Sequence, residues 1–177
     1  MNGEYAALAA RLRGSLGDVE RVVARAESLS ERARQTGDDG FWDGVALNLH
    51  GFYAGIEQVF EDIARTLDGS IPLGSTWHQV LLIQMSAEVA GVRPAVLSSA
   101  KRQCLDDYRG FRHTPALASG ASVVRNVYTF NLRPARLQEL VAGLRPCRDA
   151  VAGDLNSFAG FLDRMAQASG SNDTPSD

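Results

Sequence analysis

The chain has 177 residues, 45% hydrophobic and 22% charged, with a formal net charge of −3. That length and balance suit one globular domain able to bury its own core, and they exclude wholesale disorder and collagen-like repeats. No stretch approaches the ~18 consecutive apolar residues of a membrane span. The segment Met1–Ala10 lacks the basic start of a secretory signal, so a cytoplasmic location is expected.

Helical periodicity dominates. Leu8, Leu12, Val19, Val22, Ala26, Leu29 and Ala33 recur at three- and four-residue steps or their sums, which predicts one helix over 2–36. Gly14 and Gly17 weaken it by about 1 kcal/mol each relative to Ala. Thr36-Gly37-Asp38-Asp39-Gly40 stops it and offers a cap to its successor. The second helix, 39–68, carries Val45, Leu49, Phe52, Ile56, Val59, Ile63 and Leu67 on one face, and Asp68-Gly69 closes it. After the connector Ile71-Pro72-Leu73-Gly74, Ser75 is placed to cap a shorter helix through Val89. Gly91 and Pro94 break that helix, and Ser98 or Ser99 opens another that runs to His113.

Residues 114–122, TPALASGAS, are small and turn-prone, and Val123–Phe130 forms a short helix or turn. Arg133-Pro134 then opens a last long helix, because proline is welcome in a first helical turn. Its stripe is Leu137, Val141, Leu144, Cys147, Val151, Leu155, Phe158, Leu162 and Met165, and Pro146 within it predicts a kink. Residues 169–177, SGSNDTPSD, read as a disordered tail. Three helices of roughly 45 Å pack most simply as an antiparallel bundle. The expected fold is therefore all-α, a helical bundle of four to five main helices over residues 1–168.

Two cysteines, Cys104 and Cys147, lie far apart, with no CxxC and no histidine at ligand spacing. They are expected to be small buried apolar residues in a reducing compartment, not a disulfide or zinc framework. No metal site or cofactor is expected. Charge is unevenly placed along the chain. Residues 1–100 hold 8 Arg/Lys against 13 Asp/Glu, a net of −5; residues 101–148 hold 9 against 3, a net of +6; residues 149–177 hold 1 against 5, a net of −4. Phosphate binding needs only local charge, so the middle block is a candidate surface for a polyanion.

The chain has no glycine-rich nucleotide loop, no HExxH and no GxSxG. His50 reads as a packed, hydrogen-bonded histidine, and His78 carries no signal. His113 closes YRGFRH, with Arg109 one turn earlier and Arg112 adjacent. Arginine can grip a phosphate with two parallel hydrogen bonds, and an imidazole moves a proton near neutral pH. Those two parts suffice for metal-free RNA cleavage: a base takes the ribose 2′-OH proton while arginine stabilises charge on the phosphate. On residue types alone, a solvated arginine-rich helix end is the competing reading.

The stretches VALNLHGFYAGIEQVFEDIAR, GVRPAVLS, LDDYRGFRH, VVRNVYTFNL and RPARLQELV resemble HepT-like proteins of the HEPN superfamily of all-α domains, over about residues 1–168. The resemblance implies a metal-independent endoribonuclease toxin. It also implies a homodimer that joins two motifs in one cleft, and pairing with a minimal nucleotidyltransferase antitoxin, which in some systems adenylylates the motif tyrosine. With TPALASGAS set aside, FRH joins VVRNVY. Arg112 then matches the motif arginine, His113 the polar residue after it, Asn126 the catalytic histidine position and Tyr128 the motif tyrosine. Arg109 and Arg125 are the accompanying phosphate-binding candidates. The chain departs from the family pattern twice. An amide at Asn126 cannot carry a proton, which makes His113 the substitute base, and thirteen residues separate Arg112 from Asn126. The alternative function is a catalytically silent HEPN dimer, the partner or adenylylation substrate of the nucleotidyltransferase. A third is a helical interaction module with no nucleic-acid role.

Overall fold

A computed structural model describes residues 2–112 and 133–170. Among the described residues, five α-helices follow in chain order: α1 (Asn2–Thr36), α2 (Gly40–Ile63), α3 (Trp77–Met85), α4 (Ser99–Arg112) and α5 (Pro134–Gly170). A single π-helical turn, Ala64–Asp68, extends α2. The described residues contain no strand, only an isolated antiparallel bridge between Val89 and Arg93. The protein is an all-α helical bundle.

Local chemistry accounts for the helix ends. Gly37, at φ 69°, adopts the left-handed conformation that closes α1, and its N–H donates to the Ala33 carbonyl at 3.0 Å. Asp38 Oδ1 then accepts from the Gly40 N–H at 2.9 Å at the start of α2. Gly69, at φ 68°, ends the π-helical turn where Asp68-Gly69 is expected to end the second helix. α3 is shorter than its expected span: it starts behind Thr76, not Ser75, and stops at Met85, not Val89. The reason lies in the next segment. The Met85 carbonyl accepts the N–H groups of Val96 and Leu97, at 2.8 and 3.0 Å, and the chain reverses through Gly91 so that Val89 and Arg93 bond to each other.

Antiparallel packing follows from the long-range contacts. Arg11 of α1 binds Asp62 of α2, while Leu29 of α1 faces Gly44 near the other end of α2. Arg13 of α1 binds Asp163 of α5, and Glu27 of α1 binds Arg145 of α5. Both α2 and α5 therefore run antiparallel to α1, and the three enclose one continuous apolar core. The expected α1 stripe is buried at Leu8, Leu12, Val19, Ala26, Leu29 and Ala33. Val22 is half-buried at the edge of that face, packed near Gly51 of α2, and Val23 beside it is buried as well. Gly44, Gly51 and Gly55 let α1 approach α2 closely: a Cβ on Gly55 would stand 3.0 Å from Val19, and one on Gly44 2.9 Å from Leu29.

α4 lies antiparallel on α5. Asp154 accepts from the Ser98 N–H at 3.0 Å and pairs with Lys101 at one end. Tyr108 donates its hydroxyl to the Leu140 carbonyl at 2.9 Å further along, and Asp107 stands 3.8 Å from Arg136 at the other end. Between them Cys104 and Cys147 are joined by a disulfide, their Cα atoms 5.8 Å apart. This corrects the expectation of two unlinked apolar cysteines. Each cysteine does lie on the inward stripe of its helix, but the antiparallel pairing of those helices sets the two opposite one another. α5 continues unbroken through the exposed Pro146 to Gly170, while 171–177 lie outside the described residues. Among the described residues, no helix is long and apolar enough to cross a membrane.

Candidate nucleic-acid interface

The C-terminal end of α4 and the N-terminal end of α5 meet at one end of the bundle. Arg112 is the last residue of α4, and Arg109 sits one turn before it, half-buried, with Nε donating to Asp106 at 2.8 Å. Arg133 and Arg136 bracket Pro134 where α5 begins, and both are exposed. Tyr108 anchors this end. Its ring meets Phe52 edge-on at 5.0 Å, which ties α4 to α2, and its hydroxyl is bonded to α5. Burial pushes the Tyr108 hydroxyl far above the ordinary tyrosine value, so it stays a neutral donor. The start of α5 adds the partial positive charge of a helix N-terminus. The structure thus brings the backbone of Arg112 together with Arg109, Arg133 and Arg136. His113, Arg125, Asn126 and Tyr128 lie outside the described residues.

The basic block of residues 101–148 is not a continuous positive surface. Lys101 pairs with Asp154, Arg109 with Asp106, and Arg136 with Glu139 and Asp107. Arg145 spans Glu20 and Glu27 of α1, at 3.0 and 2.6 Å, and Arg148 spans Glu20 and Asp149. The two carboxylates, Glu27 first, hold the Arg145 guanidinium well above its ordinary value. Folding therefore sets acids from the flanking segments against much of the block. Arg102 and Arg133 have no ion pair among the described residues. Charge placement along the chain therefore overstated the unpaired positive charge that the described residues offer to a polyanion.

Three features carry no sequence signal. Glu57 of α2 is buried, with 3% exposure, and accepts a hydrogen bond from His78 Nδ1 of α3, while the Trp77 and His78 rings stack at 3.6 Å. That pair docks α3 on α2, so His78 is a packing residue. Arg93 is wholly buried, and its five donors are all used: Nε and one terminal nitrogen grip Asp68 at 2.7 Å each, and the carbonyls of Gln84, Ala87 and Pro94 take the rest. Gln84 adds a bond to the same carboxylate at 2.6 Å. The disulfide is the third. Partners 21, 25 and 43 residues apart, on separate elements, leave no local spacing to read.

A cleft of ≈ 400 Å³ lies between the 94–98 connector and α5, with Phe158, Phe161 and Arg164 on its wall. It opens beside the first turn of α4, roughly 20 Å along that helix from Arg112, and so is separate from the arginine end. Among the described residues, no group of three or more His, Cys, Asp or Glu is placed to hold a metal ion.

The described residues form an antiparallel all-α bundle whose fourth helix ends in arginines near the start of the fifth. A model of the HepT-like protein family matches residues 44–162, from α2 through most of α5. The chain belongs to that family, within the HEPN superfamily. No curated protein and no solved structure matches it.

Proposed function

We propose that the protein is the toxin of a HepT-type toxin–antitoxin pair. In this reading it is a metal-independent endoribonuclease that acts in the cytoplasm as a homodimer and is controlled by a minimal nucleotidyltransferase antitoxin. The observation that carries the proposal is the family match over 44–162, which takes in the arginine end of α4 and every motif residue. Arg112, the motif arginine, with Arg109 and Arg125 as accompanying phosphate-binding residues, grips the scissile phosphate through paired charge-assisted hydrogen bonds and stabilises the charge that builds there. His113 takes the ribose 2′-OH proton. The 2′-oxygen then attacks phosphorus, the 5′-oxygen leaves and gains a proton, and a 2′,3′-cyclic phosphate remains. Asn126, in the family's base position, can donate or accept a hydrogen bond but cannot carry the proton.

A fluorescence-quenched RNA incubated in EDTA tests this. The wild type is expected to cut it, with losses of about 10²-fold or more in Arg112→Ala and His113→Ala. Binding of the RNA should weaken steeply with salt. Full cleavage by His113→Ala would remove His113 from the mechanism. A wild type that neither cuts nor binds RNA would refute the ribonuclease.

Asn126 favours a second reading, a catalytically silent dimer whose Tyr128 is adenylylated by the nucleotidyltransferase. After co-expression with that enzyme, intact mass should show one added adenylyl group, lost in Tyr128→Phe. An unchanged mass rejects this reading.

A further inference from the structure

Cys104 and Cys147 are separated by 43 positions in sequence, and the bond between them closes a loop around the whole proposed site. Arg109, Arg112, His113, Arg125, Asn126 and Tyr128 all belong to that loop. The two residues differ in burial: Cys104 is half-buried and Cys147 buried at 4% exposure. Arg109 and Arg112 follow Cys104 on the same helix, about 8 and 12 Å along its axis at 1.5 Å per residue. A bond at this point sets where the arginine end of α4 stands relative to α5.

The helix pair is also held without the bond. Asp154 binds the Ser98 N–H and Lys101 at the start of α4, and Tyr108 reaches Leu140 near its end. Phe52 packs on Tyr108 from α2. Those contacts lie on both sides of the disulfide, so its loss leaves α4 docked but less constrained. Disulfides in a reducing compartment are usually transient and redox-sensing, and this one joins a half-buried cysteine to a buried resolving partner.

We propose that Cys104 and Cys147 form a reversible thiol–disulfide site, oxidised by a low-molecular-weight disulfide, that controls the constraint on the arginine end of α4. Its regulatory meaning rests on the ribonuclease reading above. The Cys104 thiolate attacks one sulfur of the small disulfide, forming a mixed disulfide and expelling one thiolate. The Cys147 thiolate then attacks the Cys104 sulfur and expels the second. Two electrons pass from the protein to the small disulfide, and the two protons lost by the cysteines end on the two released thiols. Excess small thiol reverses both steps.

The test uses the full chain equilibrated in glutathione buffers of varied ratio, acid-quenched, alkylated and weighed intact. Two thiols should appear together at a single midpoint within the buffered range. Cys147→Ser should retain one glutathione on Cys104. A bond that persists in excess reduced glutathione, or two thiols that never oxidise, overturns the site. Hydrogen exchange reads the coupling: amides of 104–112 should exchange at least about tenfold faster in the reduced form, while those of α2 stay unchanged. Equal exchange in both forms overturns the control of α4. RNA cleavage by the two forms separates the readings. Redox-dependent exchange with no cleavage in either form would refute the ribonuclease and leave the thiol site standing.

Discussion

Arg93 provides the sharpest test of how the connector between α3 and α4 is held. Its side chain is fully buried, Asp68 is nearly so, and five hydrogen bonds use every guanidinium donor. Arg93→Met keeps most of the volume but leaves a buried carboxylate and the carbonyls of Gln84, Ala87 and Pro94 without these donors. Removing one partner of a buried ion pair costs about 3–5 kcal/mol, chiefly because the other charge is stranded. For a chain of this size each kcal/mol is worth roughly 2–4 °C, so Tm should fall by about 6–20 °C. Urea unfolding followed by far-UV circular dichroism measures the free-energy change directly. Arg93→Lys keeps the charge but not the planar fork, and should fall between Arg93→Met and the wild type. Arg93→Met with Asp68→Leu removes both charges and should be more stable than Arg93→Met alone. A loss below about 0.5 kcal/mol in Arg93→Met, the range of an ordinary surface change, would refute the reasoning. So would strict additivity in the double variant.

Further outcomes follow from the same packing. Gly14 and Gly17 are exposed in α1, with nothing within 4 Å of a built Cβ, so Gly14→Ala and Gly17→Ala should each stabilise by up to about 1 kcal/mol. Gly55→Leu should instead cost about 1–3 kcal/mol by overpacking against Val19; chemical unfolding of the three variants decides, and equal behaviour would sink the close-approach argument. Tyr108→Phe should lose about 1 kcal/mol near neutral pH. Burial raises the Tyr108 hydroxyl, so its contribution is complete below the unfolded value of about 10 and is lost as pH rises beyond it. The stability curve of Tyr108→Phe should accordingly be flatter above pH ~10, and an unchanged alkaline slope would count against the buried donor. Arg13 holds the Asp163 carboxyl below its ordinary range through their hydrogen bond. That stabilisation is present above the unfolded value of about 3.9 and disappears as pH falls through the lower folded value. Arg13→Gln should therefore show a shallower acid loss, and superimposable acid curves would rule the pair out as a contributor.

Most of the architecture is legible along the chain because helices are local objects. Apolar residues at three- and four-residue steps mark α1, α2 and α5, and Gly37 and Gly69 stop helices where only a left-handed residue fits. The end of α3 was not legible, since it depends on Val96 and Leu97 returning to the Met85 carbonyl. The arginine cluster at the end of α4 can be seen in YRGFRH, and the fold adds Arg133 and Arg136 to it.

The net charge of −3 and the +6 block were correct as sums and incomplete as a field. Arg145 meets its acids more than a hundred positions away, across the α1–α5 contact. Cys104 with Cys147, Glu57 with His78, and Arg93 with Asp68 also meet across separate elements, 43, 21 and 25 positions apart. Periodicity, capping and breaker residues act within a few residues, so order along the chain is enough to place the helices and their inward faces. Ion pairing, cross-linking and close helix approach depend on which faces meet and in what register. Those arise only when three long helices pack around one core.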